Sequence, residues 1–224
     1  MKVEEAFDAI AGEWEEYRSK SRVFIHLFFE FLPKNSARKF VVLDAGCGNG
    51  NNIPEIARRA RRVIAIDVSR KMLAFARKRV RALGLSKKVR IAKADFAKRL
   101  PLPDASVDAA FFVSSFHHLR KREQASAFRE LNRVLKRGGI AFISFWNKRQ
   151  KRFQDENAKS FLVQWKLKTG ESIGRFHYLA EPSELRALAK RYGFAVVDLF
   201  FEKNGKRISR RKDAHNVCLV LKKN

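Results

Sequence analysis

The segment Val41-Val42-Leu43-Asp44-Ala45-Gly46-Cys47-Gly48-Asn49-Gly50 sets an apolar run, a carboxylate and three alternating glycines in a row. Glycine permits tight turns and lets a ligand approach backbone that a side chain would cover. The spacing is G-x-G-x-G rather than the G-x-G-x-x-G turn that receives a pyrophosphate at a helix N-terminus. Asp44, just ahead of the first glycine, would repel a phosphate and suits a ligand with a cationic end. Asp67 closes the next apolar run, Val63-Ile64-Ala65-Ile66. A carboxylate in that place can accept both hydroxyls of a ribose. Asp95 follows a weaker run, Val89-Arg90-Ile91-Ala92, and precedes Phe96. It could accept an adenine amino group while the apolar neighbour packs on the ring. Each acid alone also reads as a cap or turn residue. Three at successive strand ends, with the glycine loop between the first two, argue for one shared site.

Such a site needs strands that end side by side, because open α/β sheets bind ligands at the carboxyl ends of their strands. Val107 to Val113 and Gly139 to Phe145 supply a fourth and a fifth apolar run. Helical periods separate the runs. Ser69 is placed to cap a helix carrying Met72, Leu73, Ala76, Val80 and Leu83, which Gly84 would end. Ala125, Phe128, Leu131, Val134 and Leu135 form a stripe on a helix that Gly138-Gly139 would stop, and Ala180 to Tyr192 is a third helix. Alternating strands and helices predict right-handed βαβ units, a mostly parallel sheet and helices on both faces. Gly193 to Phe201 and His215 to Leu221 have only a basic loop between them and read as an antiparallel C-terminal hairpin. Phe24, Leu27, Phe28 and Phe31 fall on one face of a helical N-terminal stretch. The predicted organisation is one domain, residues 1–224: an N-terminal helical cap (1–36), a ligand-binding core (37–146), and a substrate-side segment with the terminal hairpin (147–224).

The chain has 224 residues, 46% apolar, which rules out the low-hydrophobicity composition of disordered chains. No apolar stretch is long enough to span a membrane, and the acidic start lacks the apolar run of a signal peptide. Cys47 and Cys218 lie far apart, so neither a disulfide framework nor a metal site is expected. These features predict a cytoplasmic protein. Lys plus Arg is 49 against 23 Asp plus Glu, a net charge of +26, and that excess points to a polyanionic partner.

The blocks LDAGCGNG, AIDVS, KADFAKRLPLPDASVDAAFFVSSFHHL and ELNRVLKRGGIAFISFW, in that order, resemble a class I S-adenosylmethionine-dependent methyltransferase over about residues 38–146. The resemblance implies a Rossmann-like seven-stranded sheet with one antiparallel strand, and S-adenosyl-L-methionine as cofactor. It implies that Gly46, Cys47, Gly48 and Asn49 line the methionine moiety and that Asp44 faces its amino end. Asp67 would lie at the ribose, and Val68 and Met72 would also bind the cofactor. Asp95 and Phe96 would lie at the adenine, and Ser114 near the sulfonium.

The chain ends are similar to a narrower group, the tRNA methyltransferases that esterify 5-carboxymethyluridine at the wobble position. The similarity rests on AFDAIAGEWEEY ending in Tyr17, on Arg22, on His117-His118-Leu119, and on Gly174-Arg175-Phe176-His177-Tyr178-Leu179. It implies that Tyr17 and Arg22 assist the cofactor and that His117, Arg175, His177 and Tyr178 serve the acceptor. A carboxymethyl group is ionised at neutral pH, so it needs a cation to orient it rather than a base. For either of His117 and His118, packing or capping is the competing role. Lys148 to Arg152 and Lys203 to Lys212 are the cation runs placed to meet tRNA, whereas those at 58–62 and 77–81 read as solvated helix faces. The resemblance also implies a small zinc-binding activator protein pairing with the third strand, though Lys87, Lys88 and Arg90 suit edge protection equally. Two other readings stay open: a small-molecule methyltransferase, and a non-catalytic RNA-binding protein that retains the fold.

Overall fold

The structure, a computed structural model, describes residues 1–18, 24–33, 39–153 and 158–224. Arg22 lies outside the described residues. Five parallel strands come first: β1 (Val41–Ala45), β2 (Arg62–Asp67), β3 (Val89–Lys93), β4 (Val107–Val113) and β5 (Leu135–Trp146). A small hairpin follows, β6 (Ser160–Lys166) and β7 (Ser172–Tyr178), and then β8 (Phe194–Lys203), β9 (Lys206–Ile208) and β10 (Asn216–Lys223). The main sheet runs β3-β2-β1-β4-β5-β10-β8-β9. β10 lies antiparallel between β5 and β8. The seven expected strands are therefore joined by an eighth, β9, formed within the basic loop of the terminal hairpin.

Helices α1 (Val3–Tyr17), α2 (His26–Phe29), α3 (Ile53–Arg58), α4 (Arg70–Ala82), α5 (Lys121–Val134) and α6 (Pro182–Arg191) complete the chain. Side chains alternate across a strand, and the central strands are apolar on both faces. Leu43, Ile66, Phe112 and Ile143 pack with Phe128 and Leu131 of α5 and Leu185 of α6. Val42, Val63, Phe111 and Phe142 pack on the other face with Phe28 of α2, Ile56 of α3 and Leu73 of α4. Unbroken apolar runs are what two-sided burial demands of a parallel sheet. The aromatic cluster of Phe28, Phe111, Phe142 and Phe200, with ring centroids 4.7–6.3 Å apart, accounts for part of the heavy phenylalanine use.

Local signals set several boundaries. The Ser69 hydroxyl accepts the Met72 N–H and caps α4, and Gly84 follows its end with φ +65°. The helix expected to run to Gly138-Gly139 stops at Val134 instead. Leu135 is already extended and pairs with Val107 as the first residue of β5. The β6–β7 hairpin was not anticipated. Its register sets Phe161 opposite His177, Val163 opposite Arg175 and Trp165 opposite Ile173. One face of it holds α1: Ala6 and Ile10 pack with Met72 and Ile173, and Trp14 with Trp165.

Candidate active site

The carboxyl ends of β1, β2, β3 and β4 open into a cavity of about 690 Å³ roofed by α1. That volume lies within the usual range for small-ligand sites. Its floor is the glycine loop. Gly46 (φ +74°) and Gly48 (φ +55°) take left-handed backbone. The N–H groups of Gly46 and Cys47 both donate to the Ile66 carbonyl, at 2.8 and 2.9 Å. Asp67 tightens the loop further: one carboxylate oxygen accepts the Gly48 N–H at 2.8 Å and the other the Ser69 N–H at 2.9 Å. Burial raises the Asp67 carboxyl while these backbone donors pull it down.

Asp44 is buried in β1 just ahead of the loop, and one of its oxygens has no hydrogen-bond partner among the described residues. Burial, then the Asp67 carboxylate nearby, push its carboxyl up to about 7. An orphaned acceptor with that affinity for a proton is fitted to a cation. Cys47 is no nucleophile, because burial drives its thiol well above the usual range. At the far wall Asp95 accepts the Ala97 N–H at 2.9 Å, and the buried Phe96 ring packs edge-on to Phe112. Ser114 adopts φ +55° at the end of β4, and its N–H donates to the buried Ser144 hydroxyl at 2.9 Å. Backbone held in that region by a neighbour is a common mark of a working site.

Gly46, Cys47, Gly48, Asn49, Asp67, Val68, Met72, Asp95, Phe96 and Ser114 all line the cavity, whereas Asp44 is buried in β1 and is not among the lining residues. Tyr17 does not line it. That side chain is exposed at the end of α1, its ring centroid 6.4 Å from that of Trp165. Trp14, Phe7 and Arg18 reach the cavity from α1 instead. Six of the chain's acids fall on α1, which carries no Lys or Arg. Several of them dock it on the body. Asp8 accepts from the Ser69 hydroxyl and the Lys71 N–H, Glu13 from the Trp165 indole and the Lys168 N–H, and Glu15 from Arg79 and Asn49. The signal for this lid was an amphipathic acidic helix in a strongly basic chain.

At the acceptor end, His118 and Phe176 line the wall. Arg175, His177 and His117 are buried behind them. The Arg175 guanidinium lies 5.3 Å from the Trp165 ring centroid and 5.7 Å from that of Trp14. Trp146 stacks against both His117 and His177 and carries Arg152 on its ring, at 3.9 Å. Burial, His118 and the positive charge of Arg175 and Arg152 push the His177 imidazole down to about 2, so it is neutral. Tyr178 is turned away, its hydroxyl donating to Glu184 of α6 at 3.3 Å.

The unpaired Asp44 oxygen makes a pH prediction. The folded carboxyl titrates near 7 against 3.8 for the ordinary group. Between those values the folded chain holds a proton that the unfolded chain has lost. Without ligand, stability therefore falls as pH rises from about 4 to about 7, by at most about 1.4 kcal/mol per pH unit, and then levels. If Asp44 holds an ammonium, binding must expel that proton, so cofactor affinity should rise with pH through the same window until the ligand's own α-amino group begins to lose its charge at about 7.7–8. Asp44→Asn removes both dependences. Calorimetric titration across this window in buffers of different ionisation enthalpy reads the released proton. An affinity flat with pH in the unsubstituted protein would take Asp44 out of the ligand's reach.

Residues 42–139 match the family model described as a methyltransferase domain. A protein of Encephalitozoon cuniculi named as a methyltransferase is 30% identical over 175 residues, covering 75% of this chain and 76% of that one. The tRNA (carboxymethyluridine(34)-5-O)-methyltransferase of Arabidopsis thaliana is 30% identical over 167 residues, covering 73% of this chain and 35% of that one. The chain spans only 40% of the length of a Mycobacterium tuberculosis relative, named for S-adenosylmethionine dependence, which it matches at 39% identity over 122 residues. In fold, it superimposes on an S-adenosylmethionine-dependent methyltransferase of Clostridium acetobutylicum with a TM-score of 0.75, at 15% identity, covering 97% of this chain and 99% of that one. A chain from the complex of the Haloferax volcanii Trm112 methyltransferase activator with its methyltransferase gives 0.74 at 17% identity, covering 99% and 97%. Glycine loop, three strand-end acids, cavity and relatives agree: the chain belongs to the class I S-adenosylmethionine-dependent methyltransferase family.

Proposed function

We propose that the protein methylates tRNA, forming a methyl ester on a carboxymethyl-type uridine at the wobble position. The observation that carries this reading is the acceptor end of the cavity, where Arg18 and His118 line the wall and the Arg18, Arg152 and Arg175 guanidiniums gather around three tryptophans. S-adenosylmethionine, when bound, supplies a methyl group on a sulfonium. A carboxylate acceptor would take that group without giving up a proton, so the protein would need to orient and desolvate it rather than supply a base. The protein's share is alignment and desolvation. Asp44 holds the ammonium end, Asp67 the ribose, and Asp95 with Phe96 the adenine. Arg175 steers the acceptor carboxylate, while His117 and His177 form the dry wall behind it. The likeness to the Arabidopsis enzyme supports this substrate class.

The Haloferax neighbour supports an activator protein as partner, and the exposed sheet edge at β3, with the half-buried Ile91, is the place we propose for it. For tRNA, the exposed Lys203, Lys206, Arg210 and Lys212 are the better candidates in the terminal loop, because Arg207 is paired with Asp198 and Arg211 with Glu181. Binding to tRNA should weaken with salt, log affinity falling by about 0.7–0.9 per phosphate contact for each unit of log salt. The direct test incubates the protein with labelled cofactor and total tRNA, with and without an activator, and then digests to nucleosides. Label in a base-labile ester nucleoside is the expected result. Unlabelled tRNA beside a labelled small-molecule extract would replace this reading with the small-molecule one.

A further inference from the structure

The turn at Phe116–His118 and strand β7 bring three imidazoles together. The ligand nitrogens of His117, His118 and His177 all lie within 4.8 Å of one another. Two of the rings have their tautomer set by the backbone. Nδ1 of His118 is 2.9 Å from the Phe176 carbonyl oxygen, and Nδ1 of His177 is 2.8 Å from that of Arg175. A carbonyl only accepts, so each Nδ1 carries the hydrogen and each Nε2 keeps its lone pair. Nε2 of His177 is buried and has no hydrogen-bond partner among the described residues. A ring nitrogen donating to a backbone carbonyl while the other is left bare is the usual arrangement around a metal-ligating histidine.

The spacing agrees. Metal–nitrogen bonds of about 2.1 Å at a near-tetrahedral angle hold imidazole centroids about 5 Å apart. Here they are 4.4 Å for His117–His118, 4.5 Å for His118–His177 and 5.0 Å for His117–His177. Trp146 stacks on two of the rings and Phe7 meets the third edge-on at 4.9 Å, so the rings are held before any ligand arrives.

We propose that His117, His118 and His177 bind a zinc-class divalent transition ion, with a fourth position open toward the cavity that His118 lines. An all-imidazole set without carboxylate or thiolate suits zinc, copper or nickel and not magnesium or calcium. Three neutral ligands leave the ion's charge uncompensated, and Arg152 and Arg175 nearby add to it. The fourth ligand is therefore an anion, a hydroxide or a carboxylate, which those guanidiniums also favour. The site joins β7 to the end of β4 and stands whichever acceptor the enzyme uses.

The test uses the full chain without a histidine tag, stripped with chelator and re-equilibrated with zinc or with cobalt. Elemental analysis should find about one zinc per chain, and the cobalt form should show the intense visible bands of a tetrahedral ion. X-ray absorption at the zinc edge of the unsubstituted protein should count three imidazoles. His118→Ala and His177→Ala should each lower the zinc content more than tenfold, with circular dichroism reporting the fold. His215→Ala, at an exposed histidine far along the chain, should keep it. Zinc below about a tenth per chain in the unsubstituted protein, or fewer than three imidazoles at the edge, overturns the proposal. So does a folded His118→Ala variant that retains its metal.

Discussion

Gly46→Ala should cost about 2–5 kcal/mol of stability and abolish cofactor binding, whereas Gly48→Ala should cost only about 1–2 kcal/mol. Both glycines sit in left-handed backbone, φ +74° and +55°, so both substitutions meet the same conformational strain. Space separates them. A Cβ at Gly46 would lie 2.4 Å from the Ser115 Cβ, 2.9 Å from its hydroxyl and 3.3 Å from the Phe96 ring, while one at Gly48 meets nothing within 4 Å. Ser115 cannot swing aside, because the clash is with its first side-chain carbon and its hydroxyl donates to the Ala45 carbonyl at 2.8 Å. The loop or the end of β4 must move, and either displaces backbone that lines the cavity. In a chain of this size the Gly46 variant should melt about 5–15 °C lower. Melting within about two degrees of the parent would show that the loop does not press against Ser115.

The core of the fold was legible because each device was local. The Ser69 cap, Gly84 after α4, and apolar runs ending at Asp44 and Asp67 are short-range signals whose reading does not depend on neighbours. The end of α5 was not legible. Leu135 continues the helical stripe in phase, and only its pairing with Val107 makes it a strand residue. The β6–β7 hairpin does alternate, with Phe161, Val163 and Trp165 on one face. That face closes on α1, far away in the chain, so nothing nearby announced what it was for. The cavity floor is set by short-range signals and the lid is not. Gly46, Gly48 and Asp67 are fixed by one turn, whereas Trp14 rather than Tyr17 reaches the cavity because Glu13, Glu15 and Asp8 set how α1 lies on α4 and β7. The resemblance put His117 and His177 at the acceptor together, but the ligand-like spacing of all three histidines was beyond reach. Two of the three are adjacent, but His177 joins them only when β7 folds back over the Phe116–His118 turn.

Asp67→Ala should weaken cofactor binding by about 100-fold or more, from two lost charge-assisted hydrogen bonds of about 1.5–3 kcal/mol each. Part of that loss is indirect, since the substitution also strips acceptors from the Gly48 and Ser69 N–H groups and loosens the loop. A double-mutant cycle separates the two. Cofactor and its 2′-deoxy analogue are titrated against the parent and against Asp67→Ala. If the carboxylate holds the ribose, the parent should prefer the hydroxyl form by about tenfold or more, and the variant should lose that preference. If Asp67 serves only the loop, both proteins should discriminate equally while the variant binds both forms poorly. The carboxylate is able to do both because each oxygen has a second lone pair left after accepting one backbone N–H. If both oxygens are shared in this way, the loop's shape and the ribose site are tied together, and loss of the 2′-hydroxyl should loosen the loop as well as the ligand.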